Sequence, residues 1–255
     1  LSSTRQGLRG KTLGIIGYGH IGRRVAELAL RLGVNVIVND PPLWNSGINL
    51  DRHIEHCTLL ELVSRSDILT NHVPYTVGGT YKTVGLLGEN ILNTLPQNSL
   101  VIHTSRGGII VERALENLLE THAITAAIDV WQSEPYINAY LARQCLLATP
   151  HIAGYSFEGK VNGSITIARA LEHYMAEVLH KPIAIDWRIF EEALRSTSIQ
   201  KPLDYTDHTA LLEALRASRQ LESDSAQLLA CLENNNAEGF DYLRATYPVR
   251  REILR

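Results

Sequence analysis

The sequence predicts an α/β protein whose parallel sheet is doubly wound, and three observations carry that prediction. Apolar strand-like runs alternate with helical segments between residues 11 and 148. A G-x-G-x-x-G turn joins the first strand to the first helix, and an acid closes the second strand. Such a sheet binds ligands at the carboxyl ends of its strands, so the residues just after each strand are the ones to inspect for function.

The stretch Leu13 to Asp40, LGIIGYGHIGRRVAELALRLGVNVIVND, contains the whole first unit. Leu13, Ile15 and Ile16 make an apolar strand, and Gly17, Gly19 and Gly22 follow in the turn. Gly17 permits the sharp bend, Gly19 lets the backbone approach a pyrophosphate, and Gly22 lets the helix pack close to the strand. The N–H groups at the helix start would then bind the anion. Ile21, Val25, Leu28 and Leu32 recur at helical spacing as the expected buried face, Gly33 stops the helix, and Val34, Val36, Ile37 and Val38 form the second strand. Asp40 at its end would accept hydrogen bonds from the adenosine ribose and repel a 2′-phosphate, which favours NAD over NADP.

The remaining elements follow in order. Leu1 to Gly10 reads as a linker, and PPLWNSGINLDRH after Asp40 reads as a loop in which Pro41 and Pro42 stop the strand. Thr58 is expected to cap a helix over Leu59, Leu60 and Leu62. Further strands are expected at Asp67–Asn71, Leu100–His103, Ile124–Ile128 and Leu146–Ala148, with a helix over Val111–His122 and a long one over Ser156–Leu179. The last seventy or so residues read as three helices, Leu203–Leu221, Asp224–Leu232 and Gly239–Arg251, rich in Leu and Arg and lacking a glycine loop. Helical faces without chemistry of their own point to association between subunits.

Three titratable groups fall at strand ends: Arg106 in HTSRGG, Glu134 in DVWQSEP and His151 in ATPHIAGY. Together they supply what hydride transfer from a hydroxy acid requires. Arg106 can hold a carboxylate with two parallel hydrogen bonds, His151 can take the hydroxyl proton, and Glu134 can orient that imidazole and raise its basicity. Asp129 is expected on the nicotinamide side, accepting from the carboxamide. His72 in NHVP is read as ordering a turn over the cofactor. His53, His56 and Cys57 have metal-like spacing but no second ligand pair, so a solvated loop is the better reading and no metal is expected.

Composition excludes several classes. With a net charge of −3 and 20% charged residues, nothing marks a nucleic-acid or anionic-membrane binder. No apolar run approaches a membrane span and no signal-peptide pattern opens the chain. The three cysteines, Cys57, Cys145 and Cys231, are widely spaced, which fits a reducing cytoplasm. The chain opens on Leu1 and its one methionine is Met175, so it is read as part of a longer protein.

The motifs GYGHIG with NDPP, the HVP turn, HTSRGG, DVWQSEP and TPHIAGY resemble those of the D-isomer-specific 2-hydroxyacid dehydrogenases. NDPPL, DVWQSEPYIN, TPHIAGYSFEGK and the tail GFDYLRATYPVRRE are similar to one branch in particular, which oxidises 4-phospho-D-erythronate with NAD on the route to pyridoxal phosphate. The resemblance implies a Rossmann-type sheet, a remnant of a substrate domain and a C-terminal dimerisation module. It divides the chain into a linker (1–10), an NAD-binding domain (11–155), a crossover helix (156–186) and the dimerisation module (187–255). It implies Arg106, Glu134 and His151 as catalytic residues, contacts to NAD from His20, Ile21, Asp40, Val73, Asp129 and Gly154 beside the turn glycines, and a substrate contact from Tyr155. Val73 departs from the family, where Thr is common. About a hundred residues that precede the glycine strand in the family, and wall the substrate cleft, are represented here by ten, so NAD binding without full turnover is expected. The rival readings are a relative acting on glycerate or hydroxypyruvate, which the tail disfavours, and a non-catalytic NAD sensor, which intact Arg106, Glu134 and His151 disfavour.

Overall fold

The computed structural model describes residues 7–47, 54–121, 123–195, 208–218, 220–233, 237–248 and 250–251. It separates into two units: the first comprises 1–151 with 221–245, the second 152–220 with 246–255.

The first unit is built on a seven-stranded sheet of β1 (Thr12–Ile16), β2 (Asn35–Asn39), β3 (Glu55–His56), β4 (Ile68–Asn71), β5 (Ser99–His103), β6 (Ile124–Ile128) and β7 (Leu147–Ala148). Every pairing is parallel, in the order β3-β2-β1-β4-β5-β6-β7. The chain winds outward from β1 to β3 and then returns to β4 on the other side of β1. That reversal places a crevice between the carboxyl ends of β1 and β4, the switch point at which such sheets take their ligands.

Parallel sheets are covered on both faces, and alternation along each strand supplies both. On one face Leu13, Ile15, Val36, Val38 and Ile68 pack with Ala26 and Ala29 of α1 (His20–Arg31). On the other, Ile16, Ile37 and Leu69 join Leu62 and Val63 of α3 (Leu59–Ser64) in a larger cluster. Gly14 makes this second contact possible, since a Cβ there would lie 2.0 Å from Ser66 Oγ and 2.6 Å from Leu62 Cδ2. Thr58 caps α3 through a capping box with Glu61, as its position implies.

Several expectations need correction. The buried face of α1 is Gly22, Ala26 and Ala29, while Ile21 is 58% exposed. The close approach of Gly22 to Gly17 fixes the rotation of the helix, and Ile21, about 100° round, is turned outward; Val25 and Leu32 pack at the margin. Pro41 and Pro42 do not open a loop but begin α2 (Pro41–Asn45), because first-turn positions need no N–H donor. The edge strand β3, α4 (Glu89–Leu92) and α6 (Ala139–Gln144) are too short to show a period. The expected helix Val111–His122 is α5 (Glu112–Glu120), and His122 lies outside the described residues.

The C-terminal residues do not form one separate module from 187 onward. The helices α10 (Leu221–Glu233) and α11 (Ala237–Ala245) belong to the first unit, where Leu228 and Phe240 are fully buried in the sheet's larger core cluster. Ser225 Oγ also accepts a 3.0 Å hydrogen bond from Ala148 N–H of β7. The expected helix Leu203–Leu221 corresponds to α9 (His208–Ser218), with 203–207 outside the described residues.

The second unit holds α7 (Phe157–Glu177), capped by Ser156, with α8 (Trp187–Arg195), which periodicity missed, and α9. Among the described residues after α11, which ends at Ala245, none is helical, and Pro248 disfavours helix in the residue before it. Arg250 there donates to the carbonyls of Tyr155 (2.7 Å), Ile152 (2.6 Å) and Ala153 (2.8 Å), and Arg251 pairs with buried Glu158 at 2.8 Å.

Candidate active site

The crevice beside β1 is a cavity of about 520 Å³ lined by the glycine turn, Asp40 and the His72–Pro74 segment. Gly17 has φ +88°, and a Cβ there would meet Val73 Cγ1 at 2.8 Å and the His72 carbonyl at 2.9 Å. A Cβ on Gly22 would stand 2.1 Å from the Gly17 carbonyl, whereas one on Gly19 would meet nothing within 4 Å. The first and third glycines are thus required by the protein's own packing, and the second keeps a surface clear. That surface is the start of α1, where Gly19 offers no side-chain cap and the first turn carries no acid. His20 and Ile21, expected at the cofactor, are the first helical residues and are exposed.

Asp40 is oriented before any ligand arrives. One carboxylate oxygen accepts from Tyr18 N–H at 2.8 Å, and the other accepts from Leu43 N–H at 2.9 Å, capping α2. This cradle fits a dinucleotide: uncapped N–H groups for a pyrophosphate, and an acceptor carboxylate at the end of β2 for a ribose diol. Burial pushes the His72 imidazole down to about 4, so the ring is neutral over this cavity at ordinary pH. Its Nε2 lies 3.2 Å from Thr70 Oγ1. His56 stacks on Trp44 at 4.4 Å, and Cys57 is buried; His53 lies outside the described residues, among which no metal-binding group of side chains occurs.

Further along the same edge, His151 Nδ1 and Glu134 Oε2 lie 2.8 Å apart, with the side chains 24% and 19% exposed. Glu134 Oε1 accepts from Trp131 N–H at 2.9 Å. Burial raises the Glu134 pKa, but the hydrogen bonds from His151 and Trp131, with the charges of His151 and Arg244, outweigh it and hold the group below its ordinary value. An ionised carboxylate can only accept, so it fixes the proton on Nδ1 and leaves Nε2 as the base. The His151 backbone sits at φ +57°, a conformation rare outside glycine that concentrates at functional sites.

Arg106 follows β5 and is exposed, its Nη1 donating to the Ser105 carbonyl at 2.6 Å. Its loop abuts the Glu134 loop directly: a Cβ on Gly107 would lie 1.8 Å from the Trp131 carbonyl. Asp129, at the end of β6, is 4% exposed, accepts from Thr149 Oγ1 at 2.6 Å and donates its N–H to the His103 carbonyl at 2.9 Å. Gly154 and Tyr155 belong to the second unit, where Tyr155 carries the Lys160 ammonium 4.4 Å from its ring centroid.

Sequence reasoning assigned no role to Tyr18, to the polar residues Asn71, His103 and Ser105 behind Arg106, or to Arg244 on α11. The first four lie within GYGHIG, NHVP and HTSRGG, which is the signal that could have found them. Arg244 gives no such signal.

Residues 2–153 match the family model described as D-isomer specific 2-hydroxyacid dehydrogenase, NAD binding domain. The erythronate-4-phosphate dehydrogenase of Hahella chejuensis is 38% identical over 249 residues, covering 96% of this chain and 62% of the relative. The chain thus spans less than two thirds of the length of that relative. Among solved structures, the NAD-dependent formate dehydrogenase from Staphylococcus aureus in complex with NAD is 26% identical at a TM-score of 0.58, covering 72% of this chain and 53% of the other. A glyoxylate reductase from Paecilomyes thermophila is 25% identical at a TM-score of 0.57, covering 70% and 53%. With its glycine turn, the acid that follows β2 and a family match over more than half its length, the chain belongs to the D-isomer specific 2-hydroxyacid dehydrogenases and carries their NAD-binding domain.

Proposed function

We propose that this chain belongs to an enzyme that oxidises 4-phospho-D-erythronate to 3-hydroxy-2-oxo-4-phosphobutanoate with NAD, in pyridoxal 5′-phosphate biosynthesis in the cytoplasm. The observation that carries the reading is the Glu134–His151 pair at 2.8 Å, on the sheet edge that also carries the dinucleotide cavity. Identity to erythronate-4-phosphate dehydrogenases across nearly the whole chain supports the substrate.

NAD, when bound, supplies the hydride acceptor. Gly17, Gly19, Gly22 and the start of α1 hold its pyrophosphate, Asp40 its ribose, and Val73 and Asp129 the flanking surfaces. Arg106 grips the substrate carboxylate. His151 Nε2 takes the hydroxyl proton as the C2 hydrogen leaves with its electron pair, and Glu134 stabilises the imidazolium that forms. The family resemblance assigns Gly154 to the cofactor and Tyr155 to the substrate. Among the described residues no helix is long and apolar enough to cross a membrane. A homodimer through residues of 187–255 is part of the proposal, supported by Ile189 and Tyr242, which are 64% and 67% exposed.

The test is calorimetry with NAD together with an assay of NADH formation from 4-phospho-D-erythronate and from glycerate. NAD should bind, and the phosphorylated acid should be preferred. His151→Asn should lower kcat by about 10²–10⁴ while leaving NAD affinity within about twofold. A chain that does not bind NAD, or that prefers glycerate, would overturn the reading.

A further inference from the structure

Behind Arg106 lies a buried polar chain to which the motif reading assigns no role. Asn71, His103 and Ser105 are 1%, 3% and 7% exposed. We propose that His103 is a positioning residue for Arg106, fixing the loop that carries the guanidinium through a hydrogen-bonded chain with Asn71 and Ser105. The proposal rests on the assignment of Arg106 to the substrate carboxylate.

The direction of each bond follows from its neighbour. Ser105 Oγ donates to Asn71 Oδ1, which turns the amide nitrogen of Asn71 toward His103 Nδ1, 3.0 Å away. An amide nitrogen only donates, so Nδ1 is the acceptor and the ring proton sits on Nε2. A charged ring would present a second donor to Asn71 and break the chain. Burial prevents this by pushing the imidazole down to about 3, against a hydrogen bond with the Arg106 backbone and the charge of Glu134, both of which favour the protonated form. The Ser105 carbonyl then accepts from Arg106 Nη1 at 2.6 Å. A neutral imidazole at the end of β5 is thus connected to the guanidinium through the end of β4. Asn71 is followed directly by the His72–Pro74 wall of the dinucleotide cavity, so the chain joins that wall to Arg106.

The test uses the 255-residue chain and the variants His103→Phe, His103→Gln and Ser105→Ala. The guanidinium N–H signals of Arg106, identified by their loss in Arg106→Lys, are followed by ¹⁵N NMR. In the unmodified chain they should be sharp and slowly exchanging. In His103→Phe and Ser105→Ala they should broaden and exchange at least about tenfold faster, since a buried hydrogen bond is lost in each. His103→Gln, whose side-chain oxygen can accept from Asn71, should restore most of the difference. NAD affinity by calorimetry should stay within about twofold throughout. Binding of 4-phospho-D-erythronate to the chain saturated with NADH, a pair that cannot react, should weaken roughly tenfold to a hundredfold in the two broken variants.

Unchanged Arg106 signals in Ser105→Ala and in the His103 variants would overturn the proposal. So would a parallel loss of NAD affinity, which would mark a purely structural role. If His103→Phe does not fold, Ser105→Ala and His103→Gln decide the matter. If the unmodified chain binds NAD but not the acid, the substrate assignment fails while the NMR signals still decide the role of His103.

Discussion

Asp40 caps α2 and is proposed to hold the cofactor's ribose, and substitution can tell the two apart. Its charge faces the dinucleotide cavity, while one oxygen caps α2 at Leu43 N–H. Asp40→Ala removes both, so a loss of NAD affinity there is confounded by an uncapped helix, a cost of about 1 kcal/mol. Asparagine caps as well as aspartate but has a single acceptor oxygen, so Asp40→Asn should keep the α2 cap, lose the bond from Tyr18 N–H at a cost of about 1 kcal/mol, and still narrow the preference for NAD over NADP. Titration with both cofactors checks this, and an unmodified chain with equal affinity for the two would refute the charge argument. His72 and His103 make a second prediction at this scale. Burial holds their folded pKa values at about 4 and about 3, against an ordinary value of 6.5. Below pH 6.5 the unfolded chain therefore takes up protons that the folded chain refuses, and stability falls as pH drops toward the folded values. Each ring should cost on the order of 2 kcal/mol at pH 5 relative to neutral pH. Urea unfolding at pH 7 and pH 5 should show the loss, and His72→Asn should remove about half of it.

Between elements, function depends on contacts so close that they exclude a side chain. The Arg106 loop after β5 meets the Glu134 loop after β6 where Gly107 lies against the Trp131 peptide, and a Cβ there would stand 1.8 Å from the Trp131 carbonyl. Trp131 cannot yield easily: its N–H is bonded to Glu134, and its indole, 2% exposed, donates to the Thr149 carbonyl at 3.0 Å. Gly107→Ala should therefore destabilise the chain by roughly 1–3 kcal/mol and lower kcat, since it separates Arg106 from the Glu134–His151 pair. Thermal melts and steady-state rates measure the two effects, and a variant with unchanged kcat would show that the two loops act independently. Arg106, Glu134 and His151 are legible in the sequence because each lies in the loop that follows a strand, within a recognisable motif. The apposition of their loops is not, because Gly107 and Trp131 are brought together by the β5–β6 pairing, a long-range contact.

The C-terminal helices α10 and α11 carry the largest consequence for the molecule as a whole. Phe240 is fully buried in the core cluster that also holds Ile128, Trp131 and Leu141 of the nucleotide-binding unit. Phe240→Ala should thus cost about 3–5 kcal/mol of that unit's stability. Denaturant unfolding monitored through NAD binding would measure it. A loss below about 1 kcal/mol would show that α11 is dispensable to the core. Deletion of everything after residue 186 removes part of this core together with any dimer contact. A shorter chain that loses NAD affinity would therefore say nothing about subunit association, whereas substitution of exposed Tyr242 leaves the core intact.

The sequence by itself determined the first βαβ unit, its glycine turn, Asp40, the main strands and the strand-end positions of Arg106, Glu134 and His151. These are local properties: a φ of +88° at Gly17, the caps at Thr58 and Gly33, and the two periods of strand and helix are set by residues a few positions apart. The tertiary structure alone decided which face of α1 turns inward, that two residues at Glu55 and His56 suffice for an edge strand, that α10 and α11 complete the core of the nucleotide-binding unit, and that His103 stands behind Arg106. Each of these is a relation between segments distant in the chain. A parallel sheet bonds strands that are never adjacent in sequence without an intervening crossover, so what buries a residue, and what it bonds to once buried, belongs to its neighbours in space.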